Sequence, residues 1–171
     1  MAKEYPLEQL TVIKKKRLED AERLLEEKKR ALATEEQKLE QVKTERDKVK
    51  VHKDAKLLQL REELDNKGST TSTKIQQMKN YLKEVDEKLL QRENKVLEQQ
   101  KLVDKASEAV EVARQDMRKK QQSVEKMSLQ KKEWEKEQAA EVEQAEALLN
   151  DELGTGLFLR KQMLKKENSH G

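Results

Sequence analysis

The chain has no cysteine, one proline, four glycines and few aromatics, and each shortage excludes something. Without cysteine there are no disulfides and no thiolate metal centres, and a reducing compartment, the cytoplasm, is expected. With one Trp, one Phe and two Tyr in 171 residues, a three-dimensional core cannot be filled, whereas a seam between two helices asks only for one narrow apolar stripe on each. No apolar run approaches the roughly 20 residues that a membrane span requires, and the charged N-terminal residues lack the apolar centre of a signal peptide. An excess of one charge is lacking too. Lys and Arg number 38 against 35 Asp and Glu, interspersed, and a net charge of +3 describes a solvated coiled-coil surface better than a nucleic-acid footprint.

What is present is periodicity, which sets the chain apart from a disordered polar segment. The only proline is Pro6, and from Leu7 to Leu64 neither Pro nor Gly interrupts a helix. That predicts a first helix over about 7–64, roughly 87 Å long at 1.5 Å per residue. Its seam reads as Leu18, Ala21, Leu25, Leu32, Leu39, Val42 and Val49, interrupted by Lys28, Glu35 and Arg46. After Val49 the apolar pattern slips by four residues to Leu57, Leu60 and Leu64, a stutter that predicts local unwinding.

The cluster Asp65 to Thr73 is the one group of turn formers inside the chain, with Gly68 suited to stopping a helix and Thr73 with Gln76 shaped like a capping box. From Ile75 the heptad runs to Leu148 without a slip. Its a positions are Ile75, Leu82, Leu89, Val96, Val103, Val110, Met117, Val124, Lys131, Gln138 and Ala145. Its d positions are Met78, Val85, Arg92, Gln99, Ala106, Ala113, Lys120, Met127, Trp134, Glu141 and Leu148. So sustained a repeat specifies a left-handed supercoil. The expected fold is all-α, two long helices in an antiparallel coiled-coil hairpin occupying one domain, 1–171. The turn falls at 65–73, the second helix at about 74–153 and a C-terminal segment at 154–171.

The helices are unequal. If Leu64 lies near Ile75, Leu7 falls near residue 132, and about 20 residues of the second helix extend past the first. That end carries Trp134, Val142, Leu148, Leu149 and Leu153, then Gly154-Thr155-Gly156, then Leu157, Phe158, Leu159, Met163 and Leu164. Trp134 reads equally well as a plug for the seam or as an interface anchor. The segment from Leu157 to Leu164 reads as a flexible docking piece rather than a membrane anchor. Between Glu133 and Glu152 there are eight acidic residues and one Lys, a block that would steer a basic partner.

Catalysis finds little support. His52 sits among lysines on the first helix and His170 lies near the C-terminus, neither with a second His to share a metal. The carboxylates have no cleft to perturb them. Gly68 to Lys74 resembles a phosphate-binding loop only loosely, because Thr73 stands where a Gly would precede the Lys. The basic stretches Lys14 to Arg17 and Lys43 to Lys56 alternate with acids and lack aromatics for stacking bases. No enzyme, cofactor, metal or nucleic acid is expected, and a single hairpin is expected to be a monomer.

The Leu-spaced, Lys/Glu-rich first helix (Leu7, Leu18, Ala21, Leu25, Leu39), the polar turn and the longer second helix end in an acidic segment around Glu146, Asp151 and Glu152, before Arg160 and Lys161. In this the chain resembles the YscO/FliJ family of bacterial type III secretion and flagellar export, most of all its chlamydial members. The resemblance implies a non-enzymatic stalk protein at the cytoplasmic base of the secretion apparatus. Such proteins bind the export ATPase hexamer and link it to the export-gate protein and to secretion chaperones. By analogy with rotary stalk helices, the ATPase contact would fall on the terminal end of the hairpin: Leu7, Leu10, Lys14, Trp134, Glu141, Leu148, Leu149, Asp151, Glu152, Leu153 and Phe158. The alternative is a generic coiled-coil spacer or adaptor.

Overall fold

The computed structural model describes residues 3–66 and 71–169. Two helices account for nearly all of them, α1 over Glu8–Asp65 (58 residues) and α2 over Ser72–Ser169 (98 residues). They pack against each other as an antiparallel hairpin, and no strand occurs among the described residues. The expected stop at Gly68 lies outside the described residues. The start of α2 does not. Lys74 donates its backbone N–H to Thr71 Oγ1 at 3.3 Å, and Ile75 donates to the Thr71 carbonyl at 3.2 Å. The N-cap is therefore Thr71, two residues before the expected Thr73, because a cap must stand outside the first helical turn to meet its free N–H groups.

The chain divides into two compact units, residues 19–119 and residues 1–18 with 120–171. In the first, Leu25 packs with Val110 and Ala113, and Leu39 with Val96 and Val103. Arg92 pairs with Glu45 at 3.0 Å and Lys74 with Glu63 at 3.5 Å, so positions rising along α1 meet positions falling along α2. The burial of α2 follows its expected heptad: Leu82, Val85, Val96, Val103, Val110 and Ala113 are all buried.

Along α1 the expected slip after Val49 does not occur. The inward-facing residues continue as Arg46, Val49, Lys53, Lys56, Leu60 and Glu63, an unbroken alternation of three and four; of the three leucines expected after the slip, Leu60 belongs to this line, Leu57 is half-buried beside Lys56 and Leu64 is half exposed. Charged side chains occupy seats of this seam alongside the apolar ones. Lys and Arg have aliphatic stems that can cover a seam while the charged head reaches water or an acid, and Lys53 reaches Asp86 of α2. That contact raises the Lys53 pKa, the hydrogen bond to Asp86 outweighing the opposing effect of desolvation.

The polar residues that interrupt one helix answer those that interrupt the other. Gln99 donates its side-chain amide to the Glu35 carbonyl at 3.0 Å and also to the Glu35 carboxylate, and Arg92 donates to Glu45. His52, expected to be solvated, is exposed but hydrogen-bonds through Nε2 to Tyr81 Oη at 2.8 Å, its ring edge-on to the tyrosine.

In the second unit α2 continues through Gly154 and Gly156 to Ser169. The expected break at residue 154 and the flexible segment after it are thus replaced by helix. Two glycines in a helix cost about 1 kcal/mol each relative to alanine, but Leu, Arg, Lys and Met on either side favour helix, and neither glycine has a positive φ.

Gln99→Leu alone should cost about 1 kcal/mol in urea unfolding, because it removes the donor to a partly buried Glu35, whereas Glu35→Leu with Gln99→Leu should recover wild-type stability or exceed it. Gly154→Ala and Gly156→Ala should each raise protection from amide exchange near the C-terminus by about fivefold, since an added Cβ meets nothing within 4 Å.

Candidate functional site

All the residues named above as a candidate contact lie in the unit formed by residues 1–18 and 120–171. This unit is organised around the start of α1. Pro6 precedes the helix, where a fixed φ and a missing N–H cost nothing. Glu8 donates its N–H to the Tyr5 carbonyl at 3.1 Å and Thr11 to that of Leu7 at 2.9 Å. The acidic side chain of Glu8 sits in the first turn, where it complements the positive end of the helix.

That turn is stitched to α2. Tyr5 is buried, and its ring centroid lies 5.4 Å from that of Trp134 in a tilted arrangement favourable for aromatic pairs. Trp134 is thus half covered by a residue that precedes α1, which fills the d seat where the seam ends. Lys131 Nζ approaches Glu8 Oε2 to 2.9 Å, and this hydrogen bond raises the lysine pKa against a smaller desolvation effect. One turn further, Thr11 is buried, with its hydroxyl donating to the Leu7 carbonyl at 3.1 Å. Lys14 donates to Ser123 Oγ at 2.8 Å, so it belongs to the seam and is not a free cation. The pairing of Glu8 with Lys131 gives the register that sets Leu7 beside residue 132.

Beyond Gln138 the seam ends. Every residue from Ala139 to Ser169 is exposed, including Leu148, Leu149, Leu153 and Phe158 at 57–65%. Glu141, Asp151 and Glu152 share this bare length of helix, and Leu7, just before α1, and Leu10, on it, are exposed. The structure therefore separates the candidates into two groups: Lys14 and Trp134 are engaged within the chain, and the others face solvent. A shallow groove beside Trp134 is lined by Lys3, Gln138, Ala139, Glu141, Val142, Ala145 and Glu146. Tyr5 and Thr11 were not legible as part of this end. The one available signal for Tyr5 was an aromatic placed directly before the only proline.

The arrangement offers surface for binding and no evident chemistry. Among the described residues no group of three His, Cys, Asp or Glu is placed to hold a metal ion, and no helix is long and apolar enough to cross a membrane.

A two-helix hairpin with a bare acidic-apolar end defines a class of coiled-coil protein, and the comparisons narrow it. The chain belongs to the YscO-like protein family, whose model matches residues 2–164. A solved structure from Chlamydia trachomatis, described as a candidate YscO homolog, is 42% identical in sequence. It covers 94% of this chain and 99% of its own, with a TM-score of 0.86. No curated protein sequence gives a significant match.

The Glu8–Lys131 contact predicts a pH dependence. A lysine with a folded pKa raised above 10.5 contributes its stabilisation fully below that value and loses it as pH rises through the folded pKa. Lys131→Gln should therefore melt below wild type at neutral pH, and the two melting temperatures, followed by circular dichroism, should converge in strongly alkaline buffer.

Proposed function

We propose that this protein is a non-enzymatic stalk component of a type III secretion system, acting in the cytoplasm. In this reading it binds the hexameric export ATPase through the terminal end of its hairpin and links that ATPase to the export gate and to chaperones of secreted substrates. Membership of the YscO-like family supports the secretion role. The observation that carries the binding role is the bare end of α2, where Leu148, Leu149, Leu153 and Phe158 remain exposed beside an acidic stretch. Contiguous exposed apolar side chains mark surfaces that other proteins cover, and a carboxylate rim favours a basic partner and rejects an acidic one.

Leu7 and Leu10 extend this surface onto α1. Glu141, Asp151 and Glu152 supply charge that steers association, while Trp134 and Lys14 support the surface from beneath by holding the two helices together. A helix pair is about 20 Å across with its side chains, a width that a hexameric ring can accommodate, and its mixed surface charge leaves it without one locked orientation.

The test is co-purification of the full chain with the cognate export ATPase. Leu148→Asp with Phe158→Asp, both on solvent-facing side chains, should leave helicity unchanged and weaken ATPase binding at least tenfold. Equal binding by this variant, or by a chain ending at Lys131, would refute the assignment of the contact.

A further inference from the structure

The bare part of α2 carries a stripe that, Ala145 apart, lies off the coiled-coil repeat of the rest of the helix. Val142, Ala145, Leu149, Leu153 and Leu157 recur three or four residues apart, and Leu164 follows one heptad later. At 100° per residue these fall on one side of an α-helix. All six are exposed. Leu148 and Phe158, by contrast, fall on other faces.

Charge along this stretch is divided in two. Glu141, Glu143, Glu146, Asp151 and Glu152 precede Leu153, and Arg160, Lys161, Lys165 and Lys166 follow it. A partner helix of one charge sign would match only one half and be repelled by the other. A parallel copy would set acid against acid and base against base. An antiparallel copy satisfies both halves together.

We infer that the stripe from Val142 to Leu164 is a self-association surface, on which a second copy of this chain lies antiparallel about a two-fold axis through Leu153. That register sets Val142 opposite Leu164 of the second copy and Leu149 opposite its Leu157. It sets Glu146 opposite Arg160, both within about 20° of Leu153 around the helix at 100° per residue, and this pair occurs twice as an isologous interface requires. The overlap is about 33 Å long at 1.5 Å per residue. Gly156, which has open space around its α-carbon, keeps the surface low near the crossing point, so the two backbones can approach. A helix with one apolar stripe and no neighbour gains most of its stability from being packed, and a second copy supplies that packing without disturbing the seam between α1 and α2. The inference rests on sequence pattern and exposure in this unit; it shares Leu149 and Leu153 with the proposed ATPase contact, but its experiment reads the mass of the chain alone and so stands or falls separately from the ATPase reading.

The experiment is sedimentation velocity of the full chain across a concentration series. The expected result is a reversible rise from 20.1 kDa to about twice that mass. Glu146→Lys, and separately Arg160→Glu, should each weaken self-association by tenfold or more through repulsion occurring twice across the axis. An equimolar mixture of the two charge-reversed chains should dimerise again, because every opposed pair is then of opposite sign. Since the chain has no cysteine, Leu153→Cys should form a covalent dimer on mild oxidation, while Glu137→Cys, outside the overlap, should not. Wild-type protein that stays at the monomer mass at all concentrations overturns the inference. A dimer whose charge-reversed variants fail to rescue each other, or whose Leu153→Cys variant does not cross-link, also overturns it by showing another interface.

Discussion

The structure depends on a seam whose seats keep strict alternation even where they are occupied by charged or amide side chains. Apolar burial supplies attraction without choosing a register, since one heptad of Leu and Val resembles the next. The choice comes from the exceptions. Moving α2 by one heptad would take Arg92 away from Glu45 and set it against Lys38 or His52, and would part Gln99 from Glu35. Single polar seats of this kind specify coiled-coil register at some cost in stability. Leu25 against Val110 and Leu39 against Val96 then pack at the level that these pairs dictate.

The same logic closes the other unit. A two-stranded seam has to end somewhere, and the last apolar seat of α2 that α1 can reach holds the large ring of Trp134. Tyr5 folds over it from outside the helix and Glu8 anchors Lys131 one turn away. The chain thereby seals the end of its seam with groups on either side of Pro6 and leaves the remainder of α2 without an internal partner. Hairpin closure and surface display are consequences of one length difference between the helices.

The hairpin, its antiparallel order and the heptad of α2 were legible because they rest on the spacing of apolar residues, which is written directly in the chain. What was not legible has a common cause. The slip expected after Val49 came from treating Lys53 and Lys56 as surface residues, although their stems serve a seam as well as a leucine's does. The end expected at Gly154 came from local propensity, which flanking helix formers outweighed. Thr71 displaced Thr73 as the cap because neighbouring hydroxyls are equivalent on paper and only geometry separates them. At the candidate site, the bare end and its exposed leucines followed from helix lengths alone. The hydrogen bond from Lys14 to Ser123 and the packing of Tyr5 against Trp134 required knowing which residues lie across from them.

The continuity of α2 from Gln138 into its bare length has a geometric consequence. With no break, the azimuth of Leu153 around the helix axis is phase-locked to that of Met127, which is buried against α1. Each residue of helix turns by about 100°, so one residue inserted near Ala140 would swing the whole outer apolar face through more than a quarter turn while leaving every one of its side chains intact. The compass bearing of that face is therefore inherited from the seam, and the spacer between them behaves as a gear whose tooth count cannot change without re-aiming whatever the outer helix holds.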